Sequence, residues 1–251
     1  MTLILAIVAS LAFVHGAAAA ETAPSCDVPE SFLPADVNLM RVANAIKDHH
    51  QLDISVVGSA SSALSGPDGA RFAYPAQLEQ ALRERLPGNE IKVTAHIQSR
   101  QTTADMAASL ANIVAEEHPV LVIWQAGTVD ALRGVEPEDF RNSLDQGLDA
   151  VAAGNADAIL INMQYSPRTE SMLNVSTYAE VMRWVAEQRD VLLFDRLAIM
   201  HYWSDEGTFD LYAATAGYAM ARRVHECIGR ALASQIINAG HFDADKLQTT
   251  R

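Results

Sequence analysis

"LDISVVGSASSALSGPDG", Leu52 to Gly69, is the stretch on which the fold turns. A nearly continuous apolar run ends in Gly58, as expected of a strand covered on both faces. A serine-rich turn follows at once. Such a turn, at the carboxyl end of a strand, is a place where α/β proteins can carry a nucleophile. Its reading therefore depends on whether Ser59, Ser61 or Ser62 fills that role.

Outward from this stretch, further apolar runs occur at Ile91–Ile97, Val120–Trp124, Ala158–Met163 and Val191–Phe194. Amphipathic patterns separate them. "YPAQLEQALRERL" places Leu78, Leu82 and Leu86 on one face, and "TTADMAASLANIVAEEH" groups Met106, Leu110, Ile113 and Val114. A helix is expected over Glu136–Ala153, and another in "TYAEVMRWVAEQ", where Thr177 and Glu180 have capping-box spacing. The last, Gly217–Ile237, carries Val224, Ile228, Leu232 and Ile236 along one stripe. This alternation predicts a doubly wound α/β sandwich around a parallel sheet. Ligands of such sheets sit at the carboxyl ends of the strands. Chemistry is therefore sought in 58–69, 98–103, 125–134, 164–168 and 201–215.

The 251 residues suffice for one full-sized domain, expected over 51–240, after a leader and helix at 21–50 and before a tail at 241–251. The first 20 residues hold an apolar run too short to span a bilayer, then Ala18-Ala19-Ala20 before Glu21. They read as a secretory signal, so the mature chain is expected in the periplasm or outside the cell, with no transmembrane segment. The segment holds no Asp, Glu, Lys or Arg, so the mature chain keeps the formal charge of −13. That charge repels phosphate backbones and argues against nucleic-acid partners. Cys26 and Cys227 make an even pair in an exported chain, for which a disulfide is the default.

Several of these segments together resemble the SGNH/GDSL hydrolases, in the form found in a secreted bacterial branch. "ISVVGSASSALSG" is similar to the family's first block, and "VLVIWQAGTVDALRG" to the third, a strand followed by Gly-Thr-Asn. "AILINMQYSPR" and "LFDRLAIMHYW" resemble the fourth strand's exit and the fifth strand. "FDLYAATAGYAMA" resembles the last block, Asp-x-x-His followed by Gly-Tyr and a helix. The resemblance covers about Leu52 to Ile237. It implies a flavodoxin-like three-layer sandwich with a mostly parallel five-stranded sheet, and an ancestry among serine esterases and acyl-glycan deacetylases.

It also implies that the catalytic set is gone. The nucleophile position holds Ala60, and the asparagine of block three aligns with Val129. The block-two glycine should fall in "HIQSRQTTADM", which has none. The histidine position holds Ala213 or Tyr212, depending on the direction of alignment, and only Asp210 remains. A serine without a neighbouring base is a poor nucleophile, and losing one oxyanion donor alone costs ~10²–10³ in rate. A rewired set would use Ser59 or Ser61 with His201, which has Asp205 four residues on, and Asp210. His225 sits mid-helix and is expected to face away from the cleft. The competing reading is that Ser59 and Ser61 satisfy backbone groups in a tight turn.

For binding, "WQAGT" and "QYSPR" put Gln125, Gly127, Thr128, Gln164, Tyr165 and Arg168 at neighbouring strand ends, where polar and aromatic groups suit a sugar or small acid. Alternatively, Arg168 pairs with Asp195 or another acid and fixes its loop. The adjacent His49 and His50 cannot share a metal as i,i+4 pairs do, and His96 and His118 stand alone. Neither a nucleotide fingerprint nor a G-x-S-x-G elbow is present. Asn174-Val175-Ser176 fits a glycosylation sequon or the lead into a helix. No metal or cofactor is expected. Three functions follow in order: a glycan- or protein-binding accessory factor of the envelope without esterase chemistry; an active esterase or deacetylase through Ser59 or Ser61; a structural envelope-assembly module.

Overall fold

The computed structural model describes residues 26–212 and 217–242. The signal expected at 1–20, the start of the leader, Ala213 and most of the tail lie outside the described residues.

Five strands form one all-parallel sheet: β1 (Gln51–Gly58), β2 (Glu90–Ile97), β3 (Leu121–Gln125), β4 (Asp157–Ile161) and β5 (Leu192–Phe194), in the order β2-β1-β3-β4-β5. This is the flavodoxin-like three-layer sandwich. Every residue of central β3, Leu-Val-Ile-Trp-Gln, is buried, whereas edge strand β2 buries only Ile91. Continuous apolarity marks the strand covered on both faces, and its dilution marks the edge.

The helices are α1 (Met40–Asn44, prolonged by a wider turn over Ala45–His49), α2 (Gly69–Phe72), α3 (Tyr74–Arg85), α4 (Thr103–Glu117), α5 (Thr128–Arg133), α6 (Pro137–Ala153), α7 (Pro167–Met172), α8 (Val175–Arg189), α9 (Arg196–Asp205) and α10 (Gly217–Ala239). Leu78 and Leu82 of α3 and Ile228, Leu232 and Ile236 of α10 pack on one face of the sheet, with Val42 and Ile46 from the leader and Trp203 from α9. Met106 and Leu110 of α4, Phe140 and Leu144 of α6 and Met182 of α8 cover the other. At about 25 cal/mol per Å² of apolar area removed from water, these two cores are the main source of stability.

One local expectation needs correction. Thr177 does not cap α8, because the helix begins at Val175 with Asn174 as its N-cap. Burial of Val175 and Tyr178 draws the first turn back to Asn174. The capping box belongs to α4 instead, where Thr102 and Asp105 exchange hydrogen bonds.

The leader is tied to the domain at several points. Cys26 and Cys227 form a disulfide across 201 residues of sequence. Gln235 Nε2 donates to Pro34 O and Leu193 O, joining leader, α10 and β5. Asp157 Oδ2 accepts the Arg41 and Val42 N–H groups at the start of α1, at 2.9 and 3.0 Å. No helix of the described residues is long and apolar enough to cross a membrane.

Candidate functional site

The serine turn sits where the strand order reverses, at the carboxyl ends of β1 and β3, the expected crevice of such a sheet. Gly58 lets it fold tightly onto the strand: a Cβ there would fall 2.5 Å from Ser62 Oγ. Residues Ala60–Ser62 then make a 3₁₀ turn. All three serine hydroxyls converge on one atom. Gln125 Oε1 lies 3.1 Å from Ser59 Oγ, 3.0 Å from Ser61 Oγ and 3.1 Å from Ser62 Oγ, and it also accepts the Ser59 N–H at 3.1 Å. That backbone donor fixes the amide orientation, since only the oxygen can accept it. An amide oxygen has two lone pairs, so these hydroxyls compete for it, and Ser62 Oγ also lies 3.1 Å from Tyr74 Oη, a bond in which either hydroxyl can donate. Gln125 is a neutral acceptor and takes no proton from any of them.

Behind the turn lies a second layer. Tyr74 N–H donates to His225 Nδ1 at 3.0 Å, so Nδ1 is the bare nitrogen and the ring's proton sits on Nε2. Nε2 has no protein partner among the described residues. Burial, assisted by the Arg196 charge, pushes the His225 pKa down to about 3, which keeps the ring neutral. Arg196 is itself 1 % exposed; Nη1 donates to Ser61 O at 3.0 Å and Nη2 to Gln164 Oε1 at 3.1 Å. Burial lowers its pKa to about 10, so it stays charged at neutral pH. Burial likewise raises the Tyr74 phenol, against the opposing effects of Ser62 and Arg196.

In front of the turn opens a crevice of about 800 Å³, lined on one side by Ser61, Leu64 and His225 and on the other by Arg100, Thr128 and Arg133. Ala60 is exposed on its wall, with Val129 opposite. The block-two segment, which lacks a glycine, instead turns through Arg100 at φ 66°, in the left-handed region that glycine usually occupies.

The proposed binding groups separate. Thr128 and Gln164 line the crevice. Gln125 does not: β3 is buried on both faces, and its amide is spent on the serines. Gly127, at φ 96°, starts α5, and a Cβ there would strike Met163 Sδ at 2.4 Å. Tyr165 is buried against the His201 ring, 4.6 Å between centroids; burial, with the Tyr212 phenol beside it, pushes its pKa up to about 12. Arg168 is exposed on α7 and does not line the crevice; Asp195 bonds Arg183 rather than Arg168.

The rewired catalytic set is not assembled. His201 Nδ1 pairs with Asp205 at 2.9 Å on its own helix and meets no serine hydroxyl among the described residues. Asp210 accepts the Tyr212 N–H, and Tyr212 is 72 % exposed, leaving the crevice wall to other residues. His225, expected to face away, lines the crevice, because it shares the i, i+3, i+7 stripe of Ile228 and Leu232 that packs inward. That spacing was the available signal. Arg100, Arg133 and Arg196 carried none. No group of three His, Cys, Asp or Glu side chains among the described residues converges as metal ligands would.

Residues 25–241 match the non-GDSL lipase-like family. The chain is 31 % identical to esterase TesA of Pseudomonas aeruginosa over 112 residues, which is 45 % of this chain and about half (54 %) of that relative. A crystal structure of TesA aligns with a TM-score of 0.56 at 25 % identity, covering 73 % of this chain and 99 % of that one. A lipase/acylhydrolase from Enterococcus faecalis aligns at 0.62 with 18 % identity over 74 % and 95 % of the two chains. The acetylxylan esterase Axe2 from Geobacillus stearothermophilus aligns at 0.61 with 18 % identity over 74 % and 94 %. All three share the fold.

Proposed function

The chain belongs to the non-GDSL lipase-like family, and on that premise we propose that it holds a ligand in the crevice of an esterase fold without cleaving it. It then acts as a glycan- or protein-binding accessory factor of the cell envelope. The observation that carries this reading is the tautomer of His225. A general base for a serine needs its accepting nitrogen bare and its other nitrogen protonated and held, as the aspartate of a catalytic triad does. His225 is held the other way round: the bare nitrogen faces the Tyr74 N–H, and the other nitrogen already carries a proton. A wrongly held tautomer costs about 10⁴ in rate even where the rest of a triad is intact. The serines on Gln125 Oε1 and the methyl of Ala60 support the same reading. Export is supported by the N-terminal apolar run and by a disulfide, which persists in oxidising compartments.

The second reading is an esterase working through Ser61. It is favoured by the likeness to TesA and by the partial exposure of Ser61 at the crevice. Labelling of the purified protein with a fluorophosphonate, beside p-nitrophenyl acetate hydrolysis, separates the two. We expect no labelling and no hydrolysis above background. Labelling that Ser61→Ala or Ser59→Ala abolishes would establish the esterase.

A further inference from the structure

The charged side chains that line the crevice have one sign, although the Asp105 carboxylate outside the lining lies within electrostatic reach of Arg133. The chain carries 31 acidic residues against 18 Lys and Arg, yet no Asp or Glu lines this crevice among the described residues, while Arg100 and Arg133 both do. Both arginines are exposed, and Arg133 Nη2 donates to Arg100 O at 2.8 Å, which fixes them side by side. Beneath the floor, Arg196 is buried and makes no ion pair among the described residues. Its two bonds go to neutral oxygens of Ser61 and Gln164, both crevice residues, and its Nε has no partner. A buried cation without a counter-ion is costly, and its field favours negative charge in the adjoining cavity. Among the other polar groups of the lining, the His225 Nε2–H can donate, as can Thr128 Oγ1, which is buried with no partner; Ser59, Ser61, Ser99 and Gln164 are there too.

Beside Ser59, Ser61, Ser99 and Gln164, the wall carries an apolar stretch. Leu64, Val129 and the methyls of Ala60 and Ala63 line it, and Leu132 stands 67 % exposed on α5 beside Arg133. Inorganic phosphate or sulfate would leave these surfaces wet. An ester would offer Arg196 no charge. A carboxylate matches the planar fork of an arginine, and its hydrocarbon body would cover Leu132 and Leu64.

We propose that this crevice is a carboxylate site, and that its ligand is an organic acid with an apolar body rather than the corresponding ester. The proposal rests on the non-hydrolytic reading above, and deepens it: the site keeps the acid that an active relative would release. Arg100 and Arg133 take the carboxylate at the rim, Thr128 and His225 add neutral donors, and the buried Arg196 supplies the field.

Isothermal titration of the purified protein at low ionic strength tests this with three probes: decanoate, methyl decanoate and inorganic phosphate. Decanoate is expected to bind, and methyl decanoate to bind about tenfold more weakly or worse, the scale of a lost charge-assisted hydrogen bond. Arg133→Ala, at an exposed position, should lower decanoate affinity about tenfold and leave methyl decanoate unchanged. Added NaCl should weaken decanoate alone. Equal binding of acid and ester, no binding of decanoate, or phosphate binding as tightly as decanoate would each overturn the proposal. Conversion of methyl decanoate to the acid would overturn the non-hydrolytic reading instead. The acid-to-ester ratio, measured in Ser61→Ala, would still decide this one.

Discussion

The buried aspartates and the buried arginine of this molecule are treated differently. Asp130 on α5 is 1 % exposed and accepts the Thr103 N–H, at 3.0 and 3.2 Å to its two oxygens, and the Thr103 hydroxyl at 2.8 Å. Asp157, at the amino end of β4, accepts two N–H groups at the start of α1 and pairs with the Arg41 guanidinium at 3.1 Å. Both carboxylates meet the positive ends of helices, where a negative charge is favoured. Arg196 meets a carbonyl and an amide oxygen, both neutral, and keeps one N–H without a partner. Charges that hold the fold together are matched within the chain. The one beside the crevice is left for something else to match.

The largest effect that could break this contrast is at Asp130. Asp130→Ala strands two buried donors of Thr103, and should cost about 4 kcal/mol in urea unfolding. A loss under about 1 kcal/mol would mean that the carboxylate is a passenger.

Next comes acid. Native His225 has a pKa near 3, against 6.5 when unfolded. The unfolded chain therefore takes up a proton that the native one refuses, and stability falls as pH drops from about 6.5 towards 3. Between pH 6.5 and 4 this contributes roughly 3 kcal/mol of loss. Gln in its place can still accept the Tyr74 N–H, so His225→Gln should flatten that part of the profile. Identical acid slopes would show that the native ring takes up its proton as readily as the unfolded one, and would count against Nδ1 being held by the Tyr74 N–H in a buried setting.

The smallest effect is expected at Arg196. Arg196→Met removes a desolvated charge along with two hydrogen bonds to neutral acceptors, so the net change should be within about 1 kcal/mol. A loss of several kcal/mol would place Arg196 with the aspartates, as part of the scaffold.

The sheet was readable from the chain because its strands are apolar runs of the right length with helical patterns between them, and central β3 is the most buried. Ala60 was readable because the turn after Gly58 is counted from a fixed strand end. Gln125 was misread because a strand end suggests exposure, whereas the strand's two covered faces decide burial. Arg196 follows Asp195 directly, which suggests a paired surface arginine. Asp195 instead caps α9 through the Ala198 N–H and bonds Arg183. Which of two adjacent charges turns inward depends on packing by α9 and the serine turn, and no local pattern records that.

The bond between Cys26 and Cys227 also decides how the molecule carries a load. Tension applied between a point before Cys26 and a point after α10 would run across the sulfur bridge into the last turns of that helix, so the backbone of the 200 residues that the bridge encloses would lie outside the covalent path of the load. Sheet, serine turn and crevice all lie within that slack loop. A protein pulled from both ends would pass the load along a covalent path that bypasses the crevice until the bridge was reduced.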